Sequence, residues 1–122
     1  MAFDPVNFFH LAETIYSSNK DETGCRATIG RAYYAAFLLA RDKAGISSRV
    51  IDGHKTVAEH YSSRSDEKSA AIGNRLNALR VSRTNSDYDC DIVVTSRDVG
   101  RCLAQALDVL NRLGCGLVKK TP

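Results

Sequence analysis

The sequence predicts an all-α protein, an up-and-down bundle of four to five helices. Three observations carry that expectation. Apolar residues recur at intervals of three and four along most of the chain. Helix start and stop signals bracket those stretches. The only strand-like run, Ile92-Val93-Val94, is too short and too isolated to build a sheet. A chain of 122 residues is long enough to bury one core, so residues 1–122 are read as a single domain with its core over about 5–113 and a tail at 119–122.

The elements follow in order. Asp4 then Pro5 make a helix start, and Val6, Phe8, Leu11, Ala12, Ile15 and Tyr16 continue at helical spacing to about Ser17. A longer second helix is expected from Glu22 to Lys43, stopped by Gly45. Wound at about 100 degrees per residue, it puts Cys25, Ile29, Ala32, Tyr33, Ala36, Leu39 and Ala40 on one side. Gly30, Tyr34, Phe37 and Leu38 fall on the other, so the helix needs cover twice, from its own domain and from a partner chain. A loop with Ser47, Ser48, Asp52 and Gly53 leads to a short helix over His54 to Ser62. The fourth helix follows the polar stretch Ser62 to Ser69 and aligns Ile72, Leu76, Leu79 and Arg83, and the polar chain from Thr84 to Asp91 is expected to lie outside it. In the fifth, Thr95 and Asp98 approximate a capping box, Val99, Leu103, Ala106, Leu110 and Leu113 form the stripe, and Gly114 closes it.

Composition excludes several classes. Hydrophobic residues at 43% and charged residues at 25% are too apolar a mixture for disorder, and two prolines with no tryptophan leave no proline-rich segment. The longest apolar run, Ala32 to Ala40, is far short of the ~20 residues of a membrane span. The start Met-Ala-Phe-Asp-Pro lacks the basic and apolar regions of a secretion signal, so a cytoplasmic location is expected. Cys25, Cys90, Cys102 and Cys115 are scattered without a C-x-x-C pair and are read as reduced, mostly buried thiols. The histidines, His10, His54 and His60, lack zinc-ligand spacing, so neither a metal site nor a cofactor is expected. Net charge is only +3, modest for a nucleic-acid binder, yet arginine outnumbers lysine 11 to 6. Arginine is favoured where a planar fork grips a carboxylate or phosphate.

Those arginines fall in two sets. Arg83 lies in register with the inward stripe of the fourth helix, and a buried arginine needs partners. Asp87 at i+4 and Arg80 at i−3 share its side if the helix persists one more turn. One reading is an ion-pair network pinning the helix; the other is a pocket of Arg80, Arg83, Asp87 and Tyr88 for a phosphate. On the second helix Arg26 and Arg41 flank Gly30, Tyr34 and Phe37, a cation and aromatic mixture suited to a dimer or partner interface and also to RNA.

The segments Arg31-Ala-Tyr-Tyr-Ala-Ala-Phe-Leu-Leu-Ala-Arg41, His54-Lys-Thr-Val57 and Leu79-Arg-Val-Ser-Arg83-Thr-Asn-Ser-Asp87-Tyr88-Asp89 together resemble the small free-standing HEPN domains of prokaryotes, over roughly residues 5 to 113. The resemblance implies a HEPN-like bundle that forms a homodimer, often beside a minimal nucleotidyltransferase in toxin–antitoxin or defence modules. Many such domains are metal-independent endoribonucleases, and others are non-catalytic RNA-associated modules. Nuclease members resemble one another in an Arg followed after four to six residues by a His on the helix corresponding to the fourth. Here Asp87 and Tyr88 follow Arg80 and Arg83 instead, and the Arg49 to His54 spacing falls outside that helix. The expectation is therefore a dimeric, non-catalytic or weakly catalytic module that binds RNA, a nucleotide or a partner protein. The alternatives are an endoribonuclease toxin using Arg83, Arg80 and a His54 supplied by the other chain, and a scaffold subunit without nucleic-acid binding. By the same resemblance, Tyr88 is the counterpart of a tyrosine that the transferase modifies with AMP.

Overall fold

A computed structural model describes residues 2–115; the tail expected at 119–122 lies outside them. Five helices follow one another: α1 Val6–Ser18, α2 Glu22–Ala44, α3 Gly53–Ser62, α4 Glu67–Tyr88 and α5 Ser96–Arg112. They form an all-α bundle with no strand among the described residues. Ile92 and Val93 are exposed in the α4–α5 connection, and Val94 turns into the core.

Local chemistry explains most helix ends. Asp21 caps α2 by accepting from the Gly24 N–H at 2.9 Å. Gly45 ends it in the left-handed region at φ 69°, which a residue without Cβ adopts freely. Thr95 and Asp98 form a full capping box at the start of α5.

The fourth helix departs from expectation: it does not end near Thr84 but runs on to Tyr88. Its last turn is held from a distance. Arg26 of α2 donates from Nη1 to the carbonyl oxygens of Ser86 and Asp89 at 2.9 and 3.0 Å, and from Nη2 to that of Ile92 at 2.8 Å. The first two are carbonyls at the end of the helix, which lack partners within it, and a cation there also meets the negative end of the helix dipole; the third belongs to the connection to α5. Glu22 completes the brace, pairing with Arg26 at 3.0 Å and accepting from the Val94 N–H at 3.0 Å. The Val94 N–H, and then Arg26, hold the Glu22 carboxyl below the usual range.

The second helix is central and packs against all four others. Cys25, Ile29, Ala32, Tyr33, Ala36, Leu39 and Ala40 are all buried as expected. Ile72, Leu76 and Leu79 of α4 and Val99, Cys102, Ala106, Val109 and Leu110 of α5 join them in one core. Tyr61 ties α3 to α2 by donating to the Ala40 carbonyl at 2.7 Å. Of the four cysteines, all free, Cys25 and Cys102 are buried, while Cys90 is exposed.

Helices α3 and α4 approach most closely at Gly73, where an added Cβ would lie 2.5 Å from the Ser62 backbone nitrogen. Backbone cannot step aside as a flexible side chain can. Gly73→Ala is expected to lower unfolding free energy by about 1–3 kcal/mol, the ordinary cost of overpacking, despite the better helix propensity of alanine. Urea denaturation of the two proteins measures it, and equal or greater stability in the variant contradicts this packing.

Candidate functional site

At Tyr34 and Phe37 the second apolar side of α2 is covered from within the chain, by α3 and α4, and the cover there is polar. His54, in the first turn of α3, stacks on Phe37 with ring centroids 4.4 Å apart and 19° between planes. The buried Tyr33 hydroxyl pairs with His54 Nδ1. The Tyr34 ring stands edge-on to the same imidazole at 6.1 Å. Arg83 of α4 lies over Tyr34, its guanidinium carbon 5.2 Å from the ring centre, and 5.7 Å from the ring of Tyr88. On the flanks Arg31 sits 5.3 Å over Tyr34 and Arg41 5.7 Å over Phe37. Such contacts use the negative face of each ring to hold cations without cancelling their charge by carboxylates.

Two of the residues expected at an interface are covered within the chain. Phe37 is buried beneath His54, and Gly30 is buried with Asp87 lying across it, so neither presents a face to a partner. Arg26 is turned to the end of α4, its donors spent on backbone carbonyls. Tyr34 and Arg41 are partly buried parts of the α2–α3–α4 pocket. The sequence angle was right about which side is apolar; the covering elements are the chain's own.

The structure brings together Arg80, Arg83, Asp87 and His54, and it does so within one chain. No second copy is needed to supply the histidine. The Arg49 to His54 spacing builds nothing: Arg49 is exposed in the turn before α3, where its N–H donates to Ser47 Oγ at 3.1 Å. Tyr88 is 71% exposed at the rim.

Electrostatics favour a neutral imidazole. Burial is the main cause that lowers the His54 pKa, and the guanidinium groups of Arg83, Arg80 and Arg41 add to it, opposed by the Asp52 carboxylate. Burial pushes the Tyr33 phenol up, so it stays protonated. Asp87 Oδ2 stands 3.0 Å from Arg83 Nε, yet no hydrogen bond forms, and Nε is buried without a partner among the described residues. The contact is a close charge pair with poor alignment.

Tyr33 was read from its spacing as core, and it is; that it also orients His54 depends on where α3 lands, which spacing along α2 does not encode. Among the described residues no group of three His, Cys, Asp or Glu side chains is placed to hold a metal, and no helix is long and apolar enough to cross a membrane.

Fold and site together define a five-helix bundle with a cluster of cationic and aromatic side chains around a histidine whose pKa is lowered. No family model matches the chain, and no solved structure matches it. It is similar to an uncharacterized protein of Methanocaldococcus jannaschii, 29% identical over 108 residues, a match that covers 73% of this chain and 65% of the relative's length.

Because the folded chain holds His54 neutral below the ordinary histidine pKa of about 6.5, the unfolded chain takes up the proton first on acidification. The His54 contribution to stability is whole above about pH 6.5 and is lost as pH falls from there toward the lower folded value. Proton NMR of His54 should place its midpoint below 6.5. Urea midpoints should fall further between pH 7.5 and 5.5 in wild type than in His54→Gln; a midpoint at or above 6.5 contradicts this environment.

Proposed function

We propose that the chain is a HEPN-like module that binds single-stranded RNA at the cluster of arginine and aromatic side chains between α2, α3 and α4. The single observation that carries this reading is the placement of Arg83 between Tyr34 and the exposed Tyr88. Recognition of an unpaired strand needs cations for phosphates and flat rings for bases, and here one guanidinium and one exposed ring stand side by side. Arg80, Arg31 and Arg41 extend the positive field around them. The low net charge suits a short contact of a few phosphates better than a long cationic track.

A second reading, metal-independent RNA cleavage, is favoured by one observation of its own: a neutral histidine flanked by two arginines. In the tautomer that donates from Nδ1 to the Tyr33 oxygen, His54 Nε2 presents a lone pair that can take a proton from a ribose 2′-hydroxyl. The 2′-oxygen would attack the adjacent phosphorus, the P–O5′ bond would break and the 5′-oxygen would leave with a proton from water, while Arg83 and Arg80 meet the charge growing on the phosphate. The family resemblance carries the remaining parts of the proposal, a homodimer and a minimal nucleotidyltransferase partner that modifies Tyr88, whose exposed hydroxyl is open to such a reaction.

Fluorescence anisotropy with a labelled twelve-nucleotide single-stranded RNA tests both. Wild type is expected to bind, and Arg83→Gln to lose about tenfold or more in affinity and to flatten the slope of log K against log salt by about 0.7, the share of one phosphate on a single strand. Circular dichroism checks that the variant folds. Cleavage of the same RNA in EDTA by wild type, absent in His54→Ala, selects the nuclease; an intact strand leaves a binder; no binding by folded wild type refutes the RNA reading.

A further inference from the structure

We infer that Asp87 is an internal substitute for an RNA phosphate, a carboxylate that occupies the Arg83 guanidinium until a phosphoryl group displaces it. The inference rests on the RNA-binding reading above and adds to it the residue that sets its threshold.

Three features of the pocket lead there. First, Arg83 is well buried, its side chain 17% exposed, and its Nε is enclosed without a hydrogen-bond partner among the described residues although Asp87 Oδ2 is only 3.0 Å away. A buried guanidinium N–H without an acceptor is costly, because its water has been removed and nothing replaces it. The carboxylate supplies charge and leaves the directional bond unmade. Second, Asp87 does not hold Arg83 in place. The guanidinium is seated against the faces of Tyr34 and Tyr88, contacts that survive when the carboxylate leaves. Third, Asp87 is itself loosely seated. Its side chain is 38% exposed, and its Oδ1 rests where α2 has only Gly30, at 3.8 Å from the position a Cβ would take. It can swing to solvent without disturbing the core.

The Asp87 carboxylate, tethered one helical turn away, does not bring an oxygen onto the Nε N–H direction. A phosphodiester carries the same single charge on two non-bridging oxygens and no tether, so one oxygen can approach Nε along its N–H direction while the other meets a terminal nitrogen. Exchange of the one anion for the other therefore gains the unmade hydrogen bond. The charge balance at Arg83 is kept, so the step favours ligands that hydrogen bond well over ligands that are merely anionic. Weak anions lose the competition with a carboxylate tethered one helical turn away.

The test is a double-mutant cycle read by anisotropy with the same twelve-nucleotide RNA, using wild type, Asp87→Asn, Arg83→Gln and the double variant, each checked for folding by thermal melt. Asp91→Asn serves as a control, because Asp91 is also exposed and its loss changes net charge equally. Asp87→Asn is expected to tighten binding about fivefold, Asp91→Asn to change it less than about twofold, and Asp87→Asn in the Arg83→Gln background to change it less than about twofold. Wild-type binding below detection, the protein being folded, overturns the RNA reading and this inference with it. Measurable wild-type binding that Asp87→Asn leaves unchanged or weakens overturns it while the RNA reading stands. The same tightening in the Arg83→Gln background, or with Asp91→Asn, reduces Asp87 to a general charge effect and also overturns it. No binding by any folded variant overturns the RNA reading and this inference together. Should Asp87→Asn fail to fold, Asp87→Ser takes its place in the cycle.

Discussion

A helix of 23 residues that is apolar on nearly every side cannot be left half in water, and the bundle follows from that requirement. All four other helices lie against α2. One side of it meets the apolar stripes of α4 and α5 and becomes ordinary core. The other side carries Tyr34 and Phe37 and is closed by residues that are not apolar, His54 and Arg83. Covering aromatic rings with an imidazole and guanidinium groups satisfies the rings and leaves charge at the surface. The pocket is thus a by-product of how the last apolar face was closed.

Closing it that way has an electrostatic consequence. Cations held by ring faces keep their charge, and the imidazole among them is held in its neutral form by burial and by those same cations. The site has positive groups to meet an anion and an unprotonated ring to exchange a proton. Tyr33, protonated and buried beneath, orients that ring.

Much of this was legible in the residues, and the gaps have physical causes. Helix ends set by local chemistry, Gly45 after α2 and the Thr95–Asp98 box before α5, sit where the sequence places them, because a cap acts on its nearest neighbours. The end of α4 was not legible: what sustains its last turn is Arg26, about sixty residues back along the chain. The grouping of Arg80, Arg83 and Asp87 could be read from helical spacing, since i+3 and i+4 neighbours meet wherever the helix lies. The addition of His54 could not, since it depends on the path of the loop from Gly45 to Asp52. Gly30 and Phe37 were assigned to a partner because an apolar face shows that something covers it, and a single sequence does not say what.

Arg26 touches nothing in the pocket, yet it holds the turn of helix on which Asp87 and Tyr88 ride. In a mutational scan scored by function, that position would stand out as sharply as Arg83. Position in space would separate the two: one residue lies in the cluster itself, and the other supplies the floor beneath it. Sensitivity to substitution therefore maps the supports of this site as faithfully as the site itself, and a ranked list of damaging changes would overstate how large the contact surface is.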